Sequence, residues 1–119
     1  MRVLLVDDSE VFRRTLADTL TDLLGATVDE ADSGQAALSR LDDSGDVDLV
    51  LVDMRMPEMD GLEVSRRILA REQPPRIIVV TAFDERAYSE QAKRIGVDGF
   101  FCKTDGVAGL LAEIERVTA

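Results

Sequence analysis

The sequence predicts an α/β fold: a five-stranded parallel sheet in the order 2-1-3-4-5, flanked by five helices. Two observations predict it. Short apolar runs alternate five times with segments of helical periodicity, without a linker or repeat between them. Most of these runs are apolar at nearly every position, which is typical of strands buried on both faces of a parallel sheet. The strand order follows from the right-handed crossovers that connect parallel strands.

The strand candidates are runs of four or five residues rich in Val, Ile, Leu and Phe. They are VLLV (3–6), TVDEA (27–31), LVLV (49–52), IIVV (77–80) and GFFC (99–102). The second run alternates apolar and polar residues and is the weakest of the five. Its pattern indicates a strand that is less buried than the other four.

The helix candidates lie between and after the strands, and each has an apolar stripe at helical spacing. They span residues 9–24, 33–43, 61–71, 84–95 and 106–118. Ser9 and Asp60 are expected N-caps, and Gly25 and Gly96 are expected to end their helices. The arginine pairs at 13–14 and 66–67 are interpreted as solvated helix faces.

Length and composition limit the possible functions. The 119 residues suit one domain, residues 1–119, and 45% of them are apolar, which is enough for a core. No apolar run approaches the roughly 18 residues of a membrane span, and no signal peptide is expected before the first strand. Cys102 has no partner for an internal disulfide, so we expect a buried packing residue and a reducing, cytoplasmic location. The net charge of −10 argues against nucleic acid binding by this chain.

Polar residues follow four of the predicted strands. Asp7 and Asp8 follow the first strand, Asp53 the third, Thr81 the fourth and Lys103 the fifth. The carboxyl ends of parallel strands meet at one edge of the sheet, where ligands bind next to the point at which strand order reverses. We therefore expect these five side chains to converge on one pocket.

Three carboxylates in one pocket repel each other. At about 5 Å and an effective dielectric near 20, each pair costs about 3 kcal/mol. A divalent cation would relieve most of this repulsion, and an all-oxygen ligand set without His favours Mg²⁺, with Mn²⁺ possible, over zinc. Asp53, alone on the central strand, is the best candidate for a nucleophile that becomes an acyl phosphate, and Ala82 leaves space for the incoming group.

The chain resembles the receiver domain of two-component response regulators over its whole length. The resemblance depends on LLVDDSEVFR at the start, LVDMRMPEMDGLEV in the middle, VVTAF after the fourth strand and GFFCK at the fifth. It implies that Asp53 is the phosphorylated aspartate and that Asp7 and Asp8 hold Mg²⁺. The backbone carbonyl of Arg55 would complete the metal site, and Lys103 would pair with an acid or with the phosphoryl group.

The resemblance also implies a conformational switch. Thr81 matches the family's switch hydroxyl and Phe100 its switch aromatic residue. Met54, Ala82 and Phe83 fall at the rim of the pocket. Phosphorylation in the family changes the surface formed by the fourth helix, fifth strand and fifth helix.

The partners follow from the same resemblance. A sensor histidine kinase would donate the phosphoryl group. The domain would catalyse only its own phosphotransfer and dephosphorylation and would not be an enzyme in any other sense. GFFCKTDGVAGLLAEI is similar to receivers that precede a LuxR-type DNA-binding domain, so we expect such an output domain in the full-length protein and a cut after the fifth helix. A phosphorylation-dependent homodimer through the first and fifth helices is a further expectation. Thr104 stands where the family usually has Pro, so the family's cis peptide is not expected here.

Three alternatives remain beside this interpretation. A small phosphatase with an aspartate nucleophile would need a second acid two residues later, where Arg55 stands. An FMN-binding protein of the same topology would need a Gly/Ser/Thr-rich phosphate loop, and DDSEVF is acidic there. A receiver-like scaffold that is never phosphorylated would be expected to have lost one of the five polar groups, and all five are present.

Overall fold

Five parallel strands form a single sheet in the part of the chain that the structure describes. The structure is a computed structural model that describes residues 1–44, 46–82 and 86–119, without the side chains of residues 44 and 86. The strands are β1 (Arg2–Val6), β2 (Thr27–Ala31), β3 (Leu49–Asp53), β4 (Arg76–Thr81) and β5 (Gly99–Cys102). Their order is β2-β1-β3-β4-β5, and each neighbouring pair is parallel, which confirms the predicted fold class.

In the described ranges, five α-helices alternate with the strands, close to the predicted positions. They are α1 (Glu10–Leu24), α2 (Gly34–Ser44), α3 (Gly61–Leu69), α4 (Arg86–Ile95) and α5 (Gly106–Thr118). The prediction placed the end of α3 two residues too late, because the chain turns after Leu69 toward two prolines. The predicted start of α4 at residue 84 lies outside the described residues. A 3₁₀ turn, Lys103–Asp105, was not predicted.

The predicted helix ends are confirmed where their geometry is described. The Ser9 side chain accepts a hydrogen bond from the Phe12 N–H at the start of α1. The Asp60 carboxylate accepts one from the Glu63 N–H, at 2.9 Å, at the start of α3. Gly25 ends α1 in the left-handed conformation, with φ 62°, which glycine adopts without steric cost.

The core consists of two layers, one on each face of the sheet. On one face, α1 and α5 cover alternate residues of the central strands, such as Leu5, Leu51 and Val80. On the other face, α2, α3 and α4 cover the intervening residues, such as Val6 and Val52. Burial on both faces explains why the strand sequences are apolar at nearly every position. Among the described residues, no helix has the length and apolar character that crossing a bilayer requires.

Strand register places the polar residues at a common level. Val6 is opposite Val52 across the β1–β3 pair, so Asp7 lies beside Asp53. Thr81 is opposite Cys102 across the β4–β5 pair, so Lys103 follows directly beyond Thr81. The parallel sheet thus brings residues from the two ends of the chain to one edge.

Candidate functional site

Three carboxylates cluster at this edge, as predicted. One oxygen each from Asp7, Asp8 and Asp53 lies within 4.8 Å of the other two. Asp7 and Asp53 are buried, whereas Asp8 is exposed. Oxygen donors of this kind suit a hard divalent cation, so this acidic cluster could hold a metal ion.

Lys103 lies against the cluster. Its Nζ is 3.1 Å from Oδ2 of Asp7 and 3.4 Å from Oδ1 of Asp53. The side chain is 20% exposed, so the ammonium group is largely withdrawn from solvent. The two ion pairs therefore join the ends of β1, β3 and β5 in one polar centre. Lys103 and Asp7 are 96 positions apart in sequence.

The environment of Asp53 makes its ionisation costly. Its pKa is raised from 3.8 to about 6, first because burial disfavours the charged form and next because Asp7 is close. Lys103 acts in the opposite direction, and Asp8 adds a smaller rise. The lysine thus compensates only part of the negative charge, which is the condition expected of a site that binds a cation.

The loop after β1 is held in place by its own hydrogen bonds and by Arg13. The Ser9 N–H donates to Oδ1 of Asp7 at 2.8 Å, and the guanidinium of Arg13 donates to the Asp7 carbonyl oxygen at 2.8 Å. Arg13 also pairs with Glu30 on β2, at 2.9 Å. The interpretation of Arg13 as solvated was wrong: its side chain is 11% exposed, because it bridges α1, the acidic loop and β2. Its neighbour Arg14 is 68% exposed, as expected.

The backbone of Asp53 is fixed by the start of α3. The Gly61 N–H donates to the Met54 carbonyl oxygen at 2.9 Å, and the Met54 N–H donates to the Val80 carbonyl oxygen at 2.7 Å. A Cβ atom at Gly61 would lie 2.5 Å from the Asp53 carbonyl oxygen. Only glycine fits this contact, and nothing in the residue pattern around position 61 predicts it.

The sequence matches a known family over most of its length. Residues 3–115 match the family model described as the response regulator receiver domain.

The chain belongs to the response regulator receiver domain family.

Relatives and solved structures agree with this assignment. The chain is 42% identical over 105 residues to the positive alginate biosynthesis regulatory protein of Pseudomonas aeruginosa, covering 87% of this chain and 41% of that protein. It is 33% identical over 119 residues to the chemotaxis protein CheY-3 of Vibrio cholerae, covering 98% of this chain and 91% of that one. A LuxR-family two-component response regulator from an Aurantimonas species superposes with a TM-score of 0.91 at 26% identity, covering 98% of this chain and 84% of that chain. The receiver chain thus spans less than half of the alginate regulator but nearly all of the chemotaxis protein.

The two residues expected to switch lie on the two strands beyond Asp53, β4 and β5. Thr81, the last residue of β4, is 1% exposed. Phe100 on β5 is half-buried and packs against the core layer on the α2–α4 face. Its N–H donates to Oε2 of Glu113 on α5, at 3.2 Å, so β5 and α5 are directly linked. The structure describes one arrangement of these residues, and the switch stays a prediction.

The residues expected at the pocket rim have different positions. Met54 is 3% exposed and packs in the core, so its side chain does not form an exposed rim. Ala82 is exposed after Thr81, and Phe83 lies outside the described residues. Arg55 is exposed on the loop after β3.

The loop after β5 departs from the family's usual sequence without disturbing Lys103. The described peptide bonds are all trans, including the one before Thr104. The Thr104 hydroxyl lies 3.0 Å from the thiol sulfur of Cys102, which is buried as expected. A 3₁₀ turn then leads into α5.

Phe12, on the first turn of α1, contacts the site in a way that the sequence did not predict. The Lys103 Nζ lies 3.9 Å from the centre of the Phe12 ring. Spacing within α1 gives no signal for this contact, because the two residues are 91 positions apart in sequence.

We expect Lys103→Met to destabilise the metal-free domain at pH 7 by about 1–3 kcal/mol, since it leaves two buried carboxylates without the donor that they share. The pKa of Asp53 should rise further above about 6, because Lys103 lowers it in the native protein. Urea unfolding and an NMR titration of the Asp53 carboxyl carbon measure the two effects. Lys93→Met, on an exposed part of α4, is the matched control. An unchanged Asp53 titration in Lys103→Met would contradict the electrostatic coupling described above.

Proposed function

We propose that the chain is a phospho-acceptor switch of a two-component system, phosphorylated on Asp53 by a sensor histidine kinase. The observation that carries this proposal is the position of Asp53 itself: a buried carboxylate at the end of the central strand, between an acid pair and a lysine. Each of the five groups that phosphoryl transfer requires is present. The domain would not be an enzyme in any other sense than its own phosphotransfer and dephosphorylation.

In the proposed transfer, one Asp53 carboxylate oxygen attacks the phosphorus of a phosphohistidine. A new O–P bond forms, the P–N bond breaks, and the imidazole nitrogen keeps the electron pair and takes up a proton from solvent. The transferred group carries negative charge on its equatorial oxygens, which must be neutralised in place. Lys103, 3.4 Å from Asp53, is positioned to supply positive charge, and the Thr81 hydroxyl is positioned at the end of the adjacent strand.

A divalent cation, Mg²⁺ or Mn²⁺, fits the donor set of the site. Asp7, Asp8 and Asp53 would hold it through carboxylate oxygens, with the backbone carbonyl of Arg55 as a further ligand. When bound, the ion would neutralise phosphoryl charge and the repulsion between the carboxylates. The raised pKa of Asp53 supports this proposal, because a bound cation would favour the ionised, nucleophilic form.

Four exposed apolar side chains on α1 and α5 support a partner surface on that side of the domain. Val11 is 79% exposed, Leu23 59% and Leu24 40% on α1, and Val107 is 46% exposed on α5. Because α1 and α5 cover the same face of the sheet, these side chains are available to a partner on that side. We propose this face for the kinase or for a homodimer formed after phosphorylation.

The output would pass through the surface formed by α4, β5 and α5. The likeness to LuxR-family regulators and to regulatory proteins longer than this chain supports a DNA-binding output domain in the full-length protein. Because the net charge of this chain is −10, DNA contacts would come from that output domain. A cytoplasmic bacterial location is part of the same proposal.

Intact mass spectrometry after incubation with acetyl phosphate and Mg²⁺ tests the function. We expect one added phosphoryl group on the wild type, and none without Mg²⁺ or on Asp53→Asn. Asp60→Asn is the control, because it makes the same acid-to-amide change on the adjacent exposed loop and Asn caps a helix as well as Asp.

A failure to see the adduct would be resolved by titration with beryllofluoride, which occupies a phosphorylation site without being hydrolysed quickly. Binding of beryllofluoride at Asp53 would indicate a phosphoryl group that is lost within the assay. Failure of both experiments would overturn the proposal and favour the scaffold alternative.

A further inference from the structure

Among the described residues, Asp7, Asp53 and the aromatic ring of Phe12 lie around the ammonium of Lys103. Asp7 and Asp53 lie 3.1 and 3.4 Å from Nζ, and the centre of the Phe12 ring lies 3.9 Å away. The lysine side chain has a flexible four-carbon stem, and its ammonium group carries three N–H donors. Two carboxylates alone therefore leave the ammonium group free to move. The ring face attracts the cation through its quadrupole, and the attraction is larger where the lysine is largely withdrawn from solvent.

Phe12 is itself held in place by the loop that carries the acid pair. Its N–H donates to the Ser9 hydroxyl, at 3.4 Å, and the Ser9 N–H donates to Asp7, at 2.8 Å. The ring packs against the core layer between the sheet and α1 and α5. The first turn of α1 therefore fixes both the ring and Asp7 relative to the lysine.

We propose that Phe12 is a positioning residue that holds the Lys103 ammonium between Asp7 and Asp53 through a cation–π contact. The ammonium is then in place at Asp53 before a phosphoryl group arrives, and it does not need to be recruited from solvent. The role in phosphoryl chemistry rests on the function proposed above, whereas the positioning of Nζ does not.

A set of fluorinated phenylalanines at position 12 distinguishes this role from simple packing. Each added fluorine weakens the attraction of the ring face for a cation while leaving an apolar ring of similar shape. The experiment follows the ε-methylene protons of Lys103 by NMR in the metal-free protein, where the ring current shifts them upfield. It also follows the rate of Asp53 phosphorylation by acetyl phosphate.

We expect the Lys103 proton shift to move toward that of a free lysine stepwise as fluorines are added. The phosphorylation rate should fall in parallel, by about three- to tenfold for the trifluoro ring and for Phe12→Leu, the range expected when one partly desolvated cation–π contact is lost. Phe12→Tyr should keep the Lys103 proton shift and the phosphorylation rate at nearly wild-type values. The same fluorinated residues at Phe101, a buried ring in the same core layer, are the control and should leave both unchanged.

A Lys103 shift that is unaffected by fluorination would overturn the proposal and leave Phe12 as a core residue. Because the NMR measurement needs no phosphoryl donor, it decides the positioning even if the wild type accepts no phosphoryl group. If the Lys103 proton shift changes with fluorination but the rate of Asp53 phosphorylation does not, the proposed effect of this positioning on phosphorylation is overturned.

Discussion

Asp53→Asn should make the metal-free domain more stable at pH 7, by about 1–3 kcal/mol, although it removes the proposed phosphorylation site. Asp53 is 8% exposed, and burial together with Asp7 raises its pKa to about 6. The native protein therefore keeps a charge at position 53 against a free-energy cost. Asparagine is close in shape and neutral, so it removes that cost.

The pH dependence follows from the direction of the shift. The folded protein holds the Asp53 proton up to about pH 6, whereas the unfolded chain releases it near 3.8. Between these values the folded state binds more protons, so this residue lowers wild-type stability progressively as the pH rises. The advantage of Asp53→Asn should therefore be fully present above about pH 6 and disappear as the pH falls toward 4.

Urea unfolding of both proteins between pH 4 and 8 measures this difference. Asp18→Asn, an exposed position on α1, is the control for the change in net charge and should stay within about 0.5 kcal/mol of the wild type. Mg²⁺ at ten times its Kd should stabilise the wild type by about 1.4 kcal/mol, and Asp53→Asn by less. An Asp53→Asn protein that is less stable than the wild type at pH 7 would contradict the repulsion in the pocket.

Gly61→Ala should destabilise the domain by about 1–3 kcal/mol, because a well-packed site cannot accept another methyl group without moving backbone. The added Cβ would lie 2.5 Å from the Asp53 carbonyl oxygen and 3.0 Å from the Met54 Cα. The φ of Gly61 lies outside the left-handed region, so the cost comes from this contact and not from backbone strain. Displacement of the Asp53 backbone should also weaken Mg²⁺ binding.

Gly109→Ala is the matched control for this substitution. Gly109 lies within α5, and its Cβ would meet only side-chain atoms, the nearest being the Phe101 ring edge at 3.2 Å. The gain in helix propensity, about 1 kcal/mol, should offset this contact. Urea unfolding and a Mg²⁺ titration compare the two variants with the wild type. Equal stabilities of Gly61→Ala and Gly109→Ala would contradict the close approach of α3 to Asp53.

The apolar runs and the residues that follow them were enough to predict the sheet, its order and the edge at which the site lies. Local patterns carry this information, because strands buried on both faces must be apolar throughout and crossovers between them have one hand. The positions of Asp7, Asp53 and Lys103 followed from topology, since the strands end at one edge. Ser9, Gly25 and Asp60 were predictable as helix ends from the backbone groups that they satisfy.

Tertiary packing alone decided how the site is held together. The helical pattern predicts an exposed Arg13, but its side chain is only 11% exposed in the fold, since Glu30 and the Asp7 carbonyl oxygen contact it from other elements. Phe12 lies over Lys103 and Gly61 contacts the Asp53 backbone, in each case across a gap in sequence that local periodicity does not bridge. These contacts depend on distances between separate elements, and those distances are set only when the two core layers pack on the sheet.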